Sequence, residues 1–344
     1  MRINAHGHLL PYPSQIPAFM KDKGIFWVEE DLSCMCQGTW RRPVTHPSFF
    51  LDRKLEWMDQ NRIDREVVLN LSQLYCNGYS RSDTFDVIRF QNDFNGGLSD
   101  LYPDRFVSGF VVQPLFLNDA LAEIERCVRE YKMPLLCLPS HFLDGDGKWR
   151  VVFDPYVDPV FELANHFKLA VEIHPYNAEE MISLEDKFWR FHLVWMCAQT
   201  ADAWHFYSMG DYGARYPDMR VCFAHGNQFG FAGHGRRKQG YKGRQDLFPG
   251  AADPDKTLSQ PNYFVDSIVH DVLTFEMIFR RVGAGHIVAG IDDPYPLGEM
   301  DTVANSYPGK VIDDAVESGI ITTAERDQMW HTNVLNWLYP EHLM

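Results

Sequence analysis

Eight short apolar runs, each followed by a stretch with helical spacing, limit most strongly what this chain can fold into. They are Arg2–Ala5, Glu66–Asn70, Phe106–Gln113, Pro134–Leu138, Leu169–Ile173, Arg220–Ala224, Tyr263–Asp266 and Ile287–Ile291. Most are continuous rather than alternating, as parallel strands covered on both faces require. Between them, Leu121, Ile124, Val128 and Tyr131 step by three and four along one helical face. Asp154 followed by Pro155 predicts an N-cap with proline at the first helical position. Thr322 with Glu325 predicts a capping box at the start of the last helix. Strand and helix alternating in this way predict an α/β fold, a closed (β/α)8 barrel of the TIM type. An open doubly wound sheet ranks second, because no Gly-x-Gly-x-x-Gly follows the first strand.

The 344 residues suit one barrel domain, 1–344, with insertions, and 45% hydrophobic residues supply a large core. Residues 11–48 break the rhythm. They hold prolines, Trp27, Cys34, Cys36, Trp40 and paired arginines without a clear period. Coming directly after the first strand, this segment is expected to be a loop insertion over the barrel mouth, where active sites of this fold lie. The formal charge of −15 argues against a nucleic-acid partner. It leaves room for a small anionic substrate, which needs only a few placed arginines. The start, Met1 to His6, is too short and polar for a secretory leader, and no apolar run is long enough to span a membrane. The seven cysteines are scattered, with Cys34 and Cys36 the one close pair, so reduced thiols and a cytoplasmic location are expected.

Four chemically loaded positions fall where barrel strands should end. His6 and His8 are two apart, so both imidazoles point to one side of the first strand. His174 ends the fifth strand, His225 the sixth, and Asp292 with Asp293 the eighth. A lone histidine at a strand end is more often a satisfied polar residue than a ligand. Four such features at one barrel end are much harder to explain that way. Three imidazoles and a carboxylate suit Zn²⁺, with Mn²⁺ or another divalent ion as the alternative, and a spare histidine can act as a base. The fourth strand offers no lysine to bridge two metals, so one ion is expected, with His141 as a polar wall residue.

This set of His6, His8, His174, His225 and Asp292 resembles the amidohydrolase superfamily. Cys222 to Gly226 and Asp292 to Glu299 narrow the resemblance to its metal-dependent decarboxylases of the 2-amino-3-carboxymuconate-6-semialdehyde type, which belong to the kynurenine pathway of tryptophan catabolism. Arg42-Pro43-Val44, Met58-Asp59, His174-Pro175 and Tyr263 to Asp271 extend the match from residue 2 to about 338. The resemblance implies that His6, His8, His174 and Asp292 hold one zinc ion, and that His225 is the acid/base. It also implies that Arg42 binds a substrate carboxylate. Arg236 and Arg244 fall at the spacings of two further basic positions, Arg236 reaching into the neighbouring subunit of a homodimer. Arg41, Arg237 and Lys238 are nearby competitors for these roles. Trp195 is retained as a substrate contact.

The chain also departs from the family. Asn227 and Gln228 stand where the family often has glycines and could hydrogen-bond a substrate. Asp293 replaces a common tyrosine, His192 stands near an apolar or aromatic position, and residues are added after Val303. The expected activity is a non-oxidative decarboxylation of a small dicarboxylic acid, 2-amino-3-carboxymuconate 6-semialdehyde first. A metal-dependent amide or lactone hydrolase and a hydroxybenzoate-type decarboxylase or hydratase stay open on the same residues. A catalytically silent binding protein is disfavoured, because no ligand or base is missing.

Overall fold

The computed structural model describes residues 1–175 and 187–339. Its central sheet has eight strands: β1 (Ile3–Gly7), β2 (Arg65–Val68), β3 (Phe106–Val111), β4 (Leu135–Pro139), β5 (Ala170–His174), β6 (Arg220–Phe223), β7 (Tyr263–Asp266) and β8 (Ile287–Val288). Neighbours in sequence are neighbours in the sheet, from β1 through β8, and every pairing is parallel. All eight predicted strands are present, with ends moved by a few residues. The sheet closes on itself. Ala5 N–H donates to Ala289 O, Asp292 N–H to His6 O and His8 N–H to Asp293 O, each at 2.8 Å, beside a parallel bridge between Gly7 and Asp293. The fold is therefore a (β/α)8 barrel.

The continuous apolar runs are explained by burial on both strand faces. One face gives Ile3, Ala5, Leu135, Cys137, Ala170, Cys222 and Phe264 to a cluster that includes Trp337 and Leu338 of the last helix. The other gives Val171, Ile173, Val221, Phe223 and Val265 to a larger cluster with helix residues such as Ile124, Phe161, Trp204 and Phe275. The caps are also found. Thr322 and Glu325 form a reciprocal capping box at the start of Thr323–Trp330. Asp154 accepts from Tyr156 N–H. There Pro155 opens a 3-10 turn, Pro155–Val157, and the α-helix Asp158–His166 follows it.

Residues 11–48 are more ordered than an irregular loop. They contain a short helix, Ala18–Asp22, and an antiparallel sheet of Trp27–Val28, Cys34–Gln37 and Trp40–Pro43. Strands this short leave too few residues for a period to show. Phe26, Val28 and Met35 bury against Leu10, Phe49 and Tyr295.

At the opposite end, Arg220 is buried and ties the last helix to the barrel. Its guanidinium donates to Trp337 O (2.6 Å), Leu338 O (3.1 Å), Lys168 O (2.7 Å) and Asp218 O (2.8 Å). Arg220→Met strands buried carbonyls and is expected to cost ~2–4 kcal/mol. The measurement is urea unfolding, where the midpoint should fall at an unchanged slope; an equal midpoint would mean that the clamp contributes nothing.

Candidate metal centre

The centre is assembled from strand ends. Closure of the barrel brings His6 and His8 of β1 against Asp292, which follows β8. His6 Nε2 lies 3.2 Å from His8 Nε2, and Asp292 Oδ1 lies 3.5 Å and 3.3 Å from these two nitrogens. Ring centroids of His174 lie 5.2 Å from His6 and 5.1 Å from His225. Candidate ligand atoms of His6, His8 and Asp292 fall within 4.8 Å of one another, as do those of His6, His174 and His225.

Outward hydrogen bonds fix which nitrogen His6 and His174 offer, whereas Nδ1 of His8 is buried with no hydrogen-bond partner among the described residues. His6 Nδ1 is 2.9 Å from Asp266 Oδ2. A carboxylate only accepts, so Nδ1 carries a proton, and Nε2 is the nitrogen that would present a lone pair once a cation takes the place of its second proton. His174 Nδ1 donates to Pro175 O at 2.7 Å, which leaves Nε2 deprotonated, and that buried atom has no hydrogen-bond partner among the described residues. The Nε2 atoms of His6 and His174, the latter buried and unsatisfied, with His8 Nε2 and the Asp292 carboxylate beside His6, form a donor set that fits a divalent cation.

The electrostatics agree. Burial pulls His6 down, but the Asp266 hydrogen bond and the charges of Asp292 and Asp266 outweigh it and bring its pKa to about 9. The local field thus favours positive charge at this point. Burial holds His8 below its ordinary value. Burial and the surrounding imidazoles hold His174 well below it. Burial pushes Asp292 up, but the His8 bond and the charges of His6 and His225 hold it well below the usual carboxylate range. The backbone is turned into the left-handed region at His225 (φ 56°) and Asp292 (φ 59°), a cost that functional sites tolerate.

Asp266, at the end of β7, organises the centre. Besides His6, it accepts from the backbone N–H groups of His225 (2.9 Å), Gly226 (2.8 Å) and Ile268 (3.1 Å). It therefore sets the direction of a ligand and the position of the proposed base together. Its signal in the sequence was a carboxylate at the C-terminal end of a barrel strand.

A cavity of about 230 Å³ opens above the centre, and His174, His225 and Asp292 reach its wall. Arg42 lines it as well, its guanidinium carbon 4.6 Å over the Tyr295 ring. Gln228, His192, His270, Ser72 and Gln73 add to the polar lining; His270, Ser72 and Gln73 were not among the predicted residues.

The remaining predicted residues lie elsewhere. Trp195 ends the π-helical turn Phe191–Trp195 and does not line the cavity, whereas His192 of that turn does. Asn227 is buried against Gly230, where an added Cβ would come within 2.1 Å of its Oδ1. Arg236 is exposed on the helix His234–Gly243, and Arg244 just beyond it pairs with Asp246 at 2.9 Å. Neither lines the cavity of its own chain. Of the competing basic residues, Arg237 bonds Gly230 O and Lys238 pairs with Asp255. His141 is engaged by Asp202 at 3.0 Å. Asp293 points away from the centre, to Lys54 and Asn4.

A model of the amidohydrolase family matches residues 79–243. The 2-amino-3-carboxymuconate-6-semialdehyde decarboxylase of Caenorhabditis elegans is 30% identical over an alignment of 376 positions, covering 91% of this chain and 88% of that one. The protein of the same name from Dictyostelium discoideum is 26% identical over 332 residues, covering 92% and 86%. Among solved structures, 5-carboxyvanillate decarboxylase from Novosphingobium aromaticivorans, with bound manganese and 3-methoxy-4-hydroxy-5-nitrobenzoic acid, shares the fold. Its TM-score is 0.76 at 16% identity, covering 98% of this chain and 97% of that one.

Asp266→Ala frees His6 Nδ1 and the amides around His225. Metal affinity, measured by competition with a chelator, is expected to fall roughly 10–100-fold. Wild-type affinity in the variant would contradict the role given to Asp266.

Proposed function

The chain belongs to the amidohydrolase family, and from that premise we propose that it is a metal-dependent, non-oxidative decarboxylase of a small carboxylic acid, with 2-amino-3-carboxymuconate 6-semialdehyde as first candidate. The observation that carries this reading is the convergence of His6, His8, His174 and Asp292 beneath a cavity that also holds Arg42 and His225. These four residues would hold one divalent ion. Zinc suits three imidazoles and a carboxylate, and manganese is the alternative. Such an ion supplies Lewis acidity, which polarises an oxygen and lets water ionise near neutral pH.

The chain's own residues do the rest. Arg42 offers a planar guanidinium, already oriented over Tyr295, to a substrate carboxylate. His225 Nε2 lies 3.8 Å from Asp292 Oδ2, close enough to the centre to accept and return a proton there. Burial keeps its pKa below the ordinary histidine value, so the ring is neutral and able to act as a base. When the carbon–carbon bond breaks, its electron pair stays on the substrate carbon and carbon dioxide leaves. His225, having first taken a proton from a water molecule at the centre, gives that proton to the carbon, and the hydroxide left behind is neutralised from solvent. Arg236 is assigned to the second substrate carboxylate of the neighbouring subunit in a homodimer, which accounts for its place outside its own cavity.

A hydroxybenzoate-type ring acid is the second reading. His192 and Gln228 in the cavity wall favour it, since both can hydrogen-bond a ring hydroxyl. The test is to follow the ultraviolet absorbance of freshly made aminocarboxymuconate semialdehyde with metal-free and with zinc- or manganese-loaded protein, while trapping carbon dioxide. Accelerated decay with carbon dioxide release, only in the loaded protein, is expected. Spontaneous decay unchanged by loaded protein would reject this substrate, and carbon dioxide from 2,6-dihydroxybenzoate instead would favour the second reading. In the same assay His225→Ala should lose about 10²–10⁴ of kcat while retaining its metal. Arg42→Ala should act mainly by raising KM.

A further inference from the structure

Behind the His6 and His8 pair lies a buried charged cluster that the proposed reaction does not use. Lys54 projects from the helix Leu51–Gln60 and is fully enclosed. Its ammonium donates to Glu66 of β2 at 2.8 Å and to Asp293. Asn4 of β1 bridges the same two carboxylates, its amide nitrogen 2.5 Å from Asp293 Oδ1 and 3.2 Å from Glu66 Oε2. The Asn4 amide oxygen accepts from the backbone N–H groups of His6 (3.1 Å) and Ile291 (3.0 Å). Burial pulls the Lys54 ammonium toward neutrality, but Asp293 and Glu66 outweigh it and keep it charged.

This cluster touches the metal ligands through the backbone. Asp293 O accepts from His8 N–H, and Asp292 N–H donates to His6 O, both at 2.8 Å. Gly7 belongs to the same arrangement. A Cβ there would lie 2.4 Å from the carboxyl carbon of Glu66, so the glycine between the two histidines leaves the space that Glu66 fills.

We propose that Lys54, Glu66, Asp293 and Asn4 form a clamp that positions the metal ligands His6, His8 and Asp292. The inference rests on the metal-site reading above. The ammonium joins three elements: its own helix, β2, and the segment that carries Asp292. Without it, two carboxylates are left buried with no counter-ion, a strongly unfavourable state. They separate, admit water or take up a proton, as burial already favours at Glu66, and each of these rearranges Asp293 and, through the backbone, the adjoining Asp292. These are positioning residues, because none lines the cavity.

The test compares Lys54→Met, Glu66→Gln and Arg220→Met by Mn²⁺ affinity, from chelator competition, and by urea unfolding of the metal-free protein. Lys54→Met is expected to raise the Kd for Mn²⁺ by about tenfold or more. Glu66→Gln removes one charge and can still accept from Lys54 through its single amide oxygen, though no longer from Asn4 as well, so it remains informative if Lys54→Met does not fold, and it should raise Kd to a smaller extent. Arg220→Met, at the other end of the barrel, should lose stability yet leave Kd within about twofold. The clamp is overturned if Lys54→Met and Glu66→Gln bind Mn²⁺ like the wild type, or if Arg220→Met weakens binding as much as they do. Wild-type protein that binds neither Mn²⁺ nor Zn²⁺ would overturn the metal-site reading itself.

Discussion

Closure of the sheet between β1 and the residues after β8 is the interaction on which the rest of this molecule depends. Three backbone hydrogen bonds cross that seam, from Ala5, His8 and Asp292. Two of them involve the backbone of His6 or His8, so the bonds that close the barrel also bring the proposed ligands together. An open sheet of the same strands would leave His6 and Asp292 at opposite edges with no common ion to hold. Fold and chemistry are joined most closely here.

The centre itself is a balance of charge in an enclosed place. Asp266 and Asp292 create a field in which a positive charge is stable. Most of the carboxylate capacity of Asp266 is already used, by one imidazole and three amides. It therefore acts as a support for the ligands rather than as a competing ligand. Glu172 also lies buried nearby, with a carboxylate oxygen close to His6 and Asp266; burial pushes its pKa well above the usual carboxylate range, which works against its serving as an anionic ligand. A single ion among His6, His8, His174 and Asp292 is the arrangement this distribution favours. The chain's negative charge does not oppose binding of an acid, because Arg42 stands at the cavity wall.

Much of this was legible in the sequence, and for identifiable reasons. Strands covered on both faces have to be apolar throughout, so the eight runs stood out. Residues carried at strand ends inherit the spacing of the strands, so His6, His8, His174 and Asp292, which the barrel brings together, could be picked out together as proposed ligands. Residues 11–48 hid their sheet because its strands are two to four residues long. Asp266 and Lys54 were harder to find because they work through other residues. Lys54 did leave a trace, three residues after Leu51 and four before Met58, on the apolar stripe of its helix, where an unpaired lysine would not be tolerated. Trp195 and Asn227 show the opposite limit. Position along the chain put them near the site, but one step around a helical turn separates Trp195 from the cavity that His192 lines, and a left-handed backbone at Asn227 (φ 43°) accompanies a side chain packed against Gly230.

The central claim is that four residues from three strand ends hold one divalent ion. Anomalous diffraction from crystals of the manganese- or zinc-loaded protein tests it most directly. One strong peak per chain is expected, ligated by His6, His8 and His174 through Nε2 and by a carboxylate oxygen of Asp292. No peak at that position, or a peak between Glu172 and Asp266 instead, would contradict that claim.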